Sequence, residues 1–151
     1  MCFDLDDTLS KEIKYLESAY KEIARYAARH CEGCSDSVNI LEAKSFKEML
    51  RAYHEGKNTF DELNSFLGLS IHVKDYLDIY RNFKPTWQLL PEVSDLLNRL
   101  KEDGCILGLI SDGRSVQQRN KFNALGLNRW INNNDVVISE EFGSEKPSLA
   151  N

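Results

Sequence analysis

Apolar positions in the first half of the chain recur at spacings of three and four. From Lys11 to about Arg29, Ile13, Leu16, Tyr20, Ile23 and Ala27 fall on one face, which predicts an amphipathic helix. The same period predicts a second helix from about Leu41 to Tyr53, burying Phe46, Met49, Leu50 and Tyr53. In "GKNTFDELNSFLGL" a third is expected to start at a Thr59…Glu62 capping box and to turn Phe60, Leu63, Phe66 and Leu67 inward. Val73, Tyr76, Leu77 and Tyr80 stripe a fourth. Residues 11–84 therefore read as an almost purely helical block.

The pattern then changes. Pro91 opens a helix carrying Val93, Leu96, Leu97 and Leu100, and Gly104 ends it. "CILGLI" (105–110) is a short continuous apolar run, as expected of a strand covered on both faces. After "SDG" a helix is expected from about Ser115 to Ala124, with Gly126 beyond its end, and "DVVIS" (135–139) is the next strand. Met1–Phe3 reads as a strand stub ahead of the helical block. Strand, helix and strand at this spacing predict an α/β fold with a doubly wound parallel sheet. The expected organisation is an α/β core of residues 1–10 and 85–151, interrupted by a helical insertion at 11–84.

Composition narrows the partners. The chain has 151 residues, 42% hydrophobic and 28% charged, with a formal net charge of −5 and no basic stripe. Nucleic acid is excluded on that ground, because a phosphate backbone must be met by clustered Lys and Arg. No apolar run approaches the ~20 residues of a membrane span. With the first ten residues already acidic, the expected compartment is the cytoplasm. Cys2 and Cys105 lie in strand-like apolar runs and read as small buried hydrophobes. "HCEGC" (30–34) pairs Cys31 with Cys34, which raises zinc or redox chemistry. Without a second CxxC, and with Gly33 where a helix is ending, a helix-terminal turn is the expected role.

The opening "MCFDLDDTLS" crowds Asp4, Asp6 and Asp7 behind an apolar step. Two such charges ~5 Å apart at an effective dielectric near 20 repel by roughly 3 kcal/mol. Two further features follow strands, Ser111 and Lys146. In open α/β sheets ligands bind beyond the carboxyl ends of the strands, so these three distant features are expected along one edge. Carboxylates, a hydroxyl and an ammonium suit a phosphate ester with a divalent cation, Mg²⁺ being served by hard oxygen ligands. One carboxylate can attack as a nucleophile, and a second can move protons. Ser111 and Lys146 would bind and neutralise the phosphoryl oxygens.

With these residues in place, the chain resembles the haloacid dehalogenase-like hydrolases, which are mostly Mg²⁺-dependent phosphatases. "FDLDDTL" is similar to their first motif, DxDx(T/V), "LGLISDG" to the second and "GSEKPS" to the third. The resemblance implies Asp4 as nucleophile and metal ligand. It implies Asp6 as general acid and base, its backbone carbonyl also reaching the metal. Thr8 would support the turn. Ser111, with the backbone at Asp112 and Gly113, would bind the phosphoryl group, and Lys146 would pair with it. Asp7 occupies a variable position and reads as a solvated charge. The 11–84 block corresponds to a helical cap that chooses the substrate. The implied function is hydrolysis of a small phosphorylated metabolite through an aspartyl-phosphate; the alternatives are a phosphomutase of the same family or a non-catalytic relative. A receiver-type signalling domain gathers similar groups, but would hold short βα units where the helical block stands.

The family's fourth motif, an acidic GDxxxD-like sequence, would follow Lys146, where only Pro147–Asn151 stand. Its absence predicts a C-terminally truncated piece of a longer phosphatase, the alternative being a naturally shortened relative, with weak Mg²⁺ binding and slow turnover or none. It also predicts "MCF" as a sheet edge open to self-association.

Overall fold

In the computed structural model, which describes residues 1–31 and 36–146, the elements follow the order expected, except that a short helix begins at Ser139 and stands between the last strand and Lys146. They are β1 (Cys2–Phe3), α1 (Glu12–Arg29), α2 (Val38–His54), α3 (Thr59–Leu67), α4 (Val73–Asn82), α5 (Pro91–Glu102), β2 (Gly108–Ser111), α6 (Ser115–Ala124), β3 (Val136–Ile138) and α7 (Ser139–Phe142). The chain divides into two compact units, Met1–Lys14 with Asn82–Asn151, and Tyr15–Arg81. Cys34 lies outside the described residues, and so does any pairing within "HCEGC".

The first unit is an α/β unit. Its described strands form one parallel sheet in the order β1-β2-β3, with Phe3 opposite Leu109 and Ser111 opposite Ile138. Parallel strands need helical crossovers, which cover the sheet, so β2 and β3 carry apolar residues on both faces. Leu5, Leu97, Leu107, Leu109, Phe122 and Ile138 form the centre of the core. Each such side chain contributes about 1.5–3 kcal/mol of burial. Pro91 stands at the start of α5, where its missing N–H costs nothing.

The apolar run at 105–110 is only partly a strand. Pairing starts at Gly108, opposite Cys2, and Ile106 ahead of it is 77% exposed. Cys2 is also exposed rather than buried. At Gly108 the neighbours come close, a Cβ there lying 3.1 Å from the Asp135 carbonyl and 3.4 Å from Cys2 Sγ.

The second unit is a helical cluster centred on Leu16, Tyr20, Ile23, Ala24, Ala27, Met49, Leu63 and Tyr76. Several local expectations for the helices of the chain change. Asn58, not Thr59, caps α3, its side chain accepting from the Phe60 and Asp61 amides. Thr59 is instead buried, with Oγ1 receiving the Tyr20 hydroxyl at 3.4 Å. The inward face of α2 runs Leu41, Ser45, Met49 and Ala52, which leaves Tyr53 exposed. Small side chains at two of those positions allow close packing, so burial does not track hydrophobicity there. Ile13 and Phe66 are exposed as well. Burial pushes the Tyr76 hydroxyl up to about 12, and it donates to Asn64 Oδ1 at 2.8 Å. No helix among the described residues is long and apolar enough to cross a membrane.

Candidate active site

β1 ends at Phe3, so Asp4 begins the turn at the carboxyl edge of the sheet. The turn is tied by its own backbone, the Leu5 carbonyl accepting from the Leu9 and Ser10 amides. Leu5 is buried, which anchors the turn between two charged neighbours. The Asp4 carboxylate accepts the Leu5 amide at 2.8 Å. Asp7 adopts a left-handed φ of 55°, which Asp tolerates better than most residues. It does more than the solvated charge expected of it, because Oδ1 accepts the Glu12 amide at 3.2 Å at the start of α1. Thr8 lies within the turn and is exposed.

Ser111 closes β2 next to this turn. It is 1% exposed, and its Oγ has no hydrogen-bond partner among the described residues. A buried unpaired hydroxyl costs about 1–3 kcal/mol. The following loop is fixed from two sides. The Gly113 amide donates to Ser139 Oγ at 2.9 Å, and Asp112 Oδ1 accepts the Lys146 amide at 3.1 Å. Lys146 Nζ then donates to Asp4 Oδ1 at 2.8 Å and to the Ile110 carbonyl at 3.2 Å. The acidic turn, the serine loop and the lysine named from sequence thus meet at one edge.

Four contributors were not foreseen, namely the Asp112 side chain, Ser139, Gln118 and Lys121. Gln118 and Lys121 are buried on α6, and both reach Asp6. A signal for them exists in the sequence. Gln118, Lys121, Phe122 and Leu125 stand at i, i+3, i+4 and i+7, the spacing of a buried helical face, with two polar residues on it. α6 itself is braced by α7. Arg114 and the Ser115 amide meet Glu140, and Arg119 meets Glu141. The Arg119 guanidinium holds the Glu141 carboxyl below the usual carboxylate range.

A family model for haloacid dehalogenase-like hydrolases matches residues 1–150. The chain belongs to that family. Membership sets aside the receiver-type reading of the same groups. Two curated relatives are named glyceraldehyde 3-phosphate phosphatase. The protein from Methanocaldococcus jannaschii is 32% identical over 153 residues, and the match covers 97% of this chain and 64% of that protein. The one from Methanopyrus kandleri is 32% identical over 158 residues, with the same two coverages. The chain thus spans just under two thirds of the length of these relatives. Among solved structures, magnesium-bound HAD-hydrolase YfnB of Bacillus subtilis aligns over 99% of this chain and 67% of its own, with a TM-score of 0.60 and 23% identity. That likeness bears on the fold, and the parallel sheet described above agrees with it.

As to a metal, no three His, Cys, Asp or Glu residues among those described come close enough to hold an ion by themselves. Of the oxygen donors that the resemblance assigns to a metal, the Asp4 carboxylate stands at this edge beside Lys146, and the Asp6 main-chain carbonyl belongs to the same turn. Such a pair fits a small hard cation that takes its remaining ligands from water and a substrate phosphate, as Mg²⁺ commonly does.

Proposed function

We propose that this chain hydrolyses a phosphate monoester of a small metabolite by way of an aspartyl-phosphate at Asp4, with Mg²⁺ as cofactor. The observation that carries the reading is the buried, unpartnered Ser111 hydroxyl beside the Lys146–Asp4 pair. It is a donor and an ammonium placed for phosphoryl oxygens next to a carboxylate able to attack phosphorus. The relatives named glyceraldehyde 3-phosphate phosphatase support a small phosphorylated substrate.

Charge supports the cation. Asp4, Asp6 and Asp112 face Lys121 and Lys146, which leaves one negative charge in excess before a phosphate dianion arrives. Mg²⁺ held by Asp4 and the Asp6 carbonyl would offset that repulsion and draw charge from the phosphoryl group. Ser111, with the Asp112 amide, binds the equatorial oxygens, whereas the Gly113 amide expected to help is already given to Ser139 Oγ. Lys146 orients Asp4 and neutralises charge as the bond to phosphorus forms. Asp6 protonates the departing oxygen and afterwards takes a proton from the attacking water. The helical unit Tyr15–Arg81 serves as the cap that selects the substrate.

In a direct test, the chain is incubated with p-nitrophenyl phosphate with and without EDTA, and the reaction is quenched with borohydride. Turnover that requires Mg²⁺, with homoserine recovered at position 4, is expected. Turnover indifferent to EDTA, with an unaltered Asp4, would overturn the proposal.

Ser111→Ala separates binding from folding. Removing an unpaired buried hydroxyl is expected to leave the thermal midpoint unchanged or raised, because no hydrogen bond is lost. Affinity for inorganic phosphate is expected to fall about tenfold, the worth of one hydrogen bond to a charged group. A large loss of stability with intact phosphate binding would assign the hydroxyl a structural role instead.

A further inference from the structure

α6 turns an amide and an ammonium toward the core. Gln118 is 3% exposed and Lys121 2% exposed. Burying such groups is costly unless each finds a partner. Their partners converge on one carboxylate: Lys121 Nζ donates to Asp6 Oδ1 at 2.6 Å, and Gln118 Nε2 donates to Asp6 Oδ2 at 2.9 Å. Both oxygens of Asp6 are therefore held from one helix, by residues three positions apart.

Gln118 has a second duty. The same Nε2 donates to the Asp112 carbonyl at 2.7 Å, within the loop that follows Ser111. Gly113 leaves the room for it, since a Cβ there would lie 2.8 Å from that nitrogen, and its φ of +132° already favours glycine. One side chain thus joins the acidic turn to the phosphoryl-binding loop.

We propose that Gln118 and Lys121 are positioning residues that lock the Asp6 carboxylate and the Ser111–Gly113 loop into one hydrogen-bonded unit. They thereby set the direction in which Asp6 meets the leaving oxygen of a phosphate ester. The proposal rests on the phosphatase reading above, in which Asp6 moves the proton. Proton transfer depends on hydrogen-bond geometry, and an unheld carboxylate close to Asp4 and Asp112 would turn away from them. Lys121 supplies the opposite charge on the Asp6 side of the site, while Lys146 serves Asp4.

The experiment compares Lys121→Met and Gln118→Leu with the unaltered chain on two substrates. p-Nitrophenolate leaves without a proton, whereas the alkoxide of a simple alkyl phosphate needs one. The quantity read is kcat/KM, which covers the steps through leaving-group departure. For the alkyl ester it is expected to fall by about tenfold to a hundredfold in each variant, and for the aryl ester by less than about threefold. Equal falls with both esters would overturn the positioning role.

Asp4→Asn tests the underlying reading separately. Phosphatase turnover that survives it sinks the nucleophile assignment, whereas equal losses in the α6 variants sink only the positioning role. A third measurement needs no turnover. In urea unfolding, the double variant Asp6→Asn with Lys121→Met is expected to be more stable than Lys121→Met alone, because the uncompensated carboxylate has gone too. Additive losses would show that the two side chains are not energetically paired.

Discussion

Asp4→Asn is expected to lower phosphate-ester turnover by about a thousandfold or more while the protein stays folded. The substitution preserves size, and an amide oxygen at position 4 can still accept the Leu5 amide and receive Lys146 Nζ. What it removes is the negative charge, and with it the nucleophilicity needed to attack phosphorus. The loss is expected in kcat, with p-nitrophenyl phosphate as substrate and Mg²⁺ present. Thermal unfolding should shift by only a few degrees, because the Asp4–Lys146 pair is partly exposed and such pairs contribute about 0–1 kcal/mol. Undiminished turnover in the variant would remove Asp4 from the chemistry.

Lys146→Met carries the second largest effect. Lys146 Nζ touches both the attacking carboxylate and the Ile110 carbonyl, so it holds Asp4 against the end of β2. Without it the site gains a net negative charge, and the charge developing on the phosphoryl oxygens meets no ammonium. A fall of about a hundredfold in kcat/KM is expected, the order seen when one donor to a developing charge is lost. The Mg²⁺ requirement should move the other way. Half-saturation is expected at lower Mg²⁺, because a competing cation has left the Asp4 oxygen. A drop in turnover accompanied by weaker Mg²⁺ activation would contradict an electrostatic role and point to a displaced loop.

Much of the architecture was legible because it is written in local periodicity. The helices of the second unit, Pro91 at the start of α5 and the β2–α6–β3 succession all follow from spacing and from residues whose backbone preferences are strong. Errors arose where chemistry is degenerate at short range. Asn58 and Thr59 are both competent caps, and only packing decides that Thr59 goes inward to meet Tyr20. Ile106 belongs to an apolar run, yet the ladder starts two residues later, at Gly108 opposite Cys2.

The candidate site divides in the same way. Asp4, Asp6 and Ser111 announce themselves by position, at or just beyond the end of a strand, where an open sheet gathers its ligands, whereas Lys146 comes after the short helix α7 rather than directly after a strand. Gln118 and Lys121 show only as two polar residues on the helical face they share with Phe122 and Leu125, which does not name Asp6 as their acceptor.

By itself the sequence determined the order of the elements, the parallel sheet and the residues whose chemistry suits a phosphate ester, because each depends on neighbours within a few positions. Only the tertiary structure decided how those residues are held. Lys121 meets Asp6 across 115 positions and Lys146 meets Asp4 across 142. No local pattern can name such partners. They are selected by the requirement that a buried amide or ammonium find an acceptor, and that acceptor exists only once the sheet has brought the acidic turn beside α6.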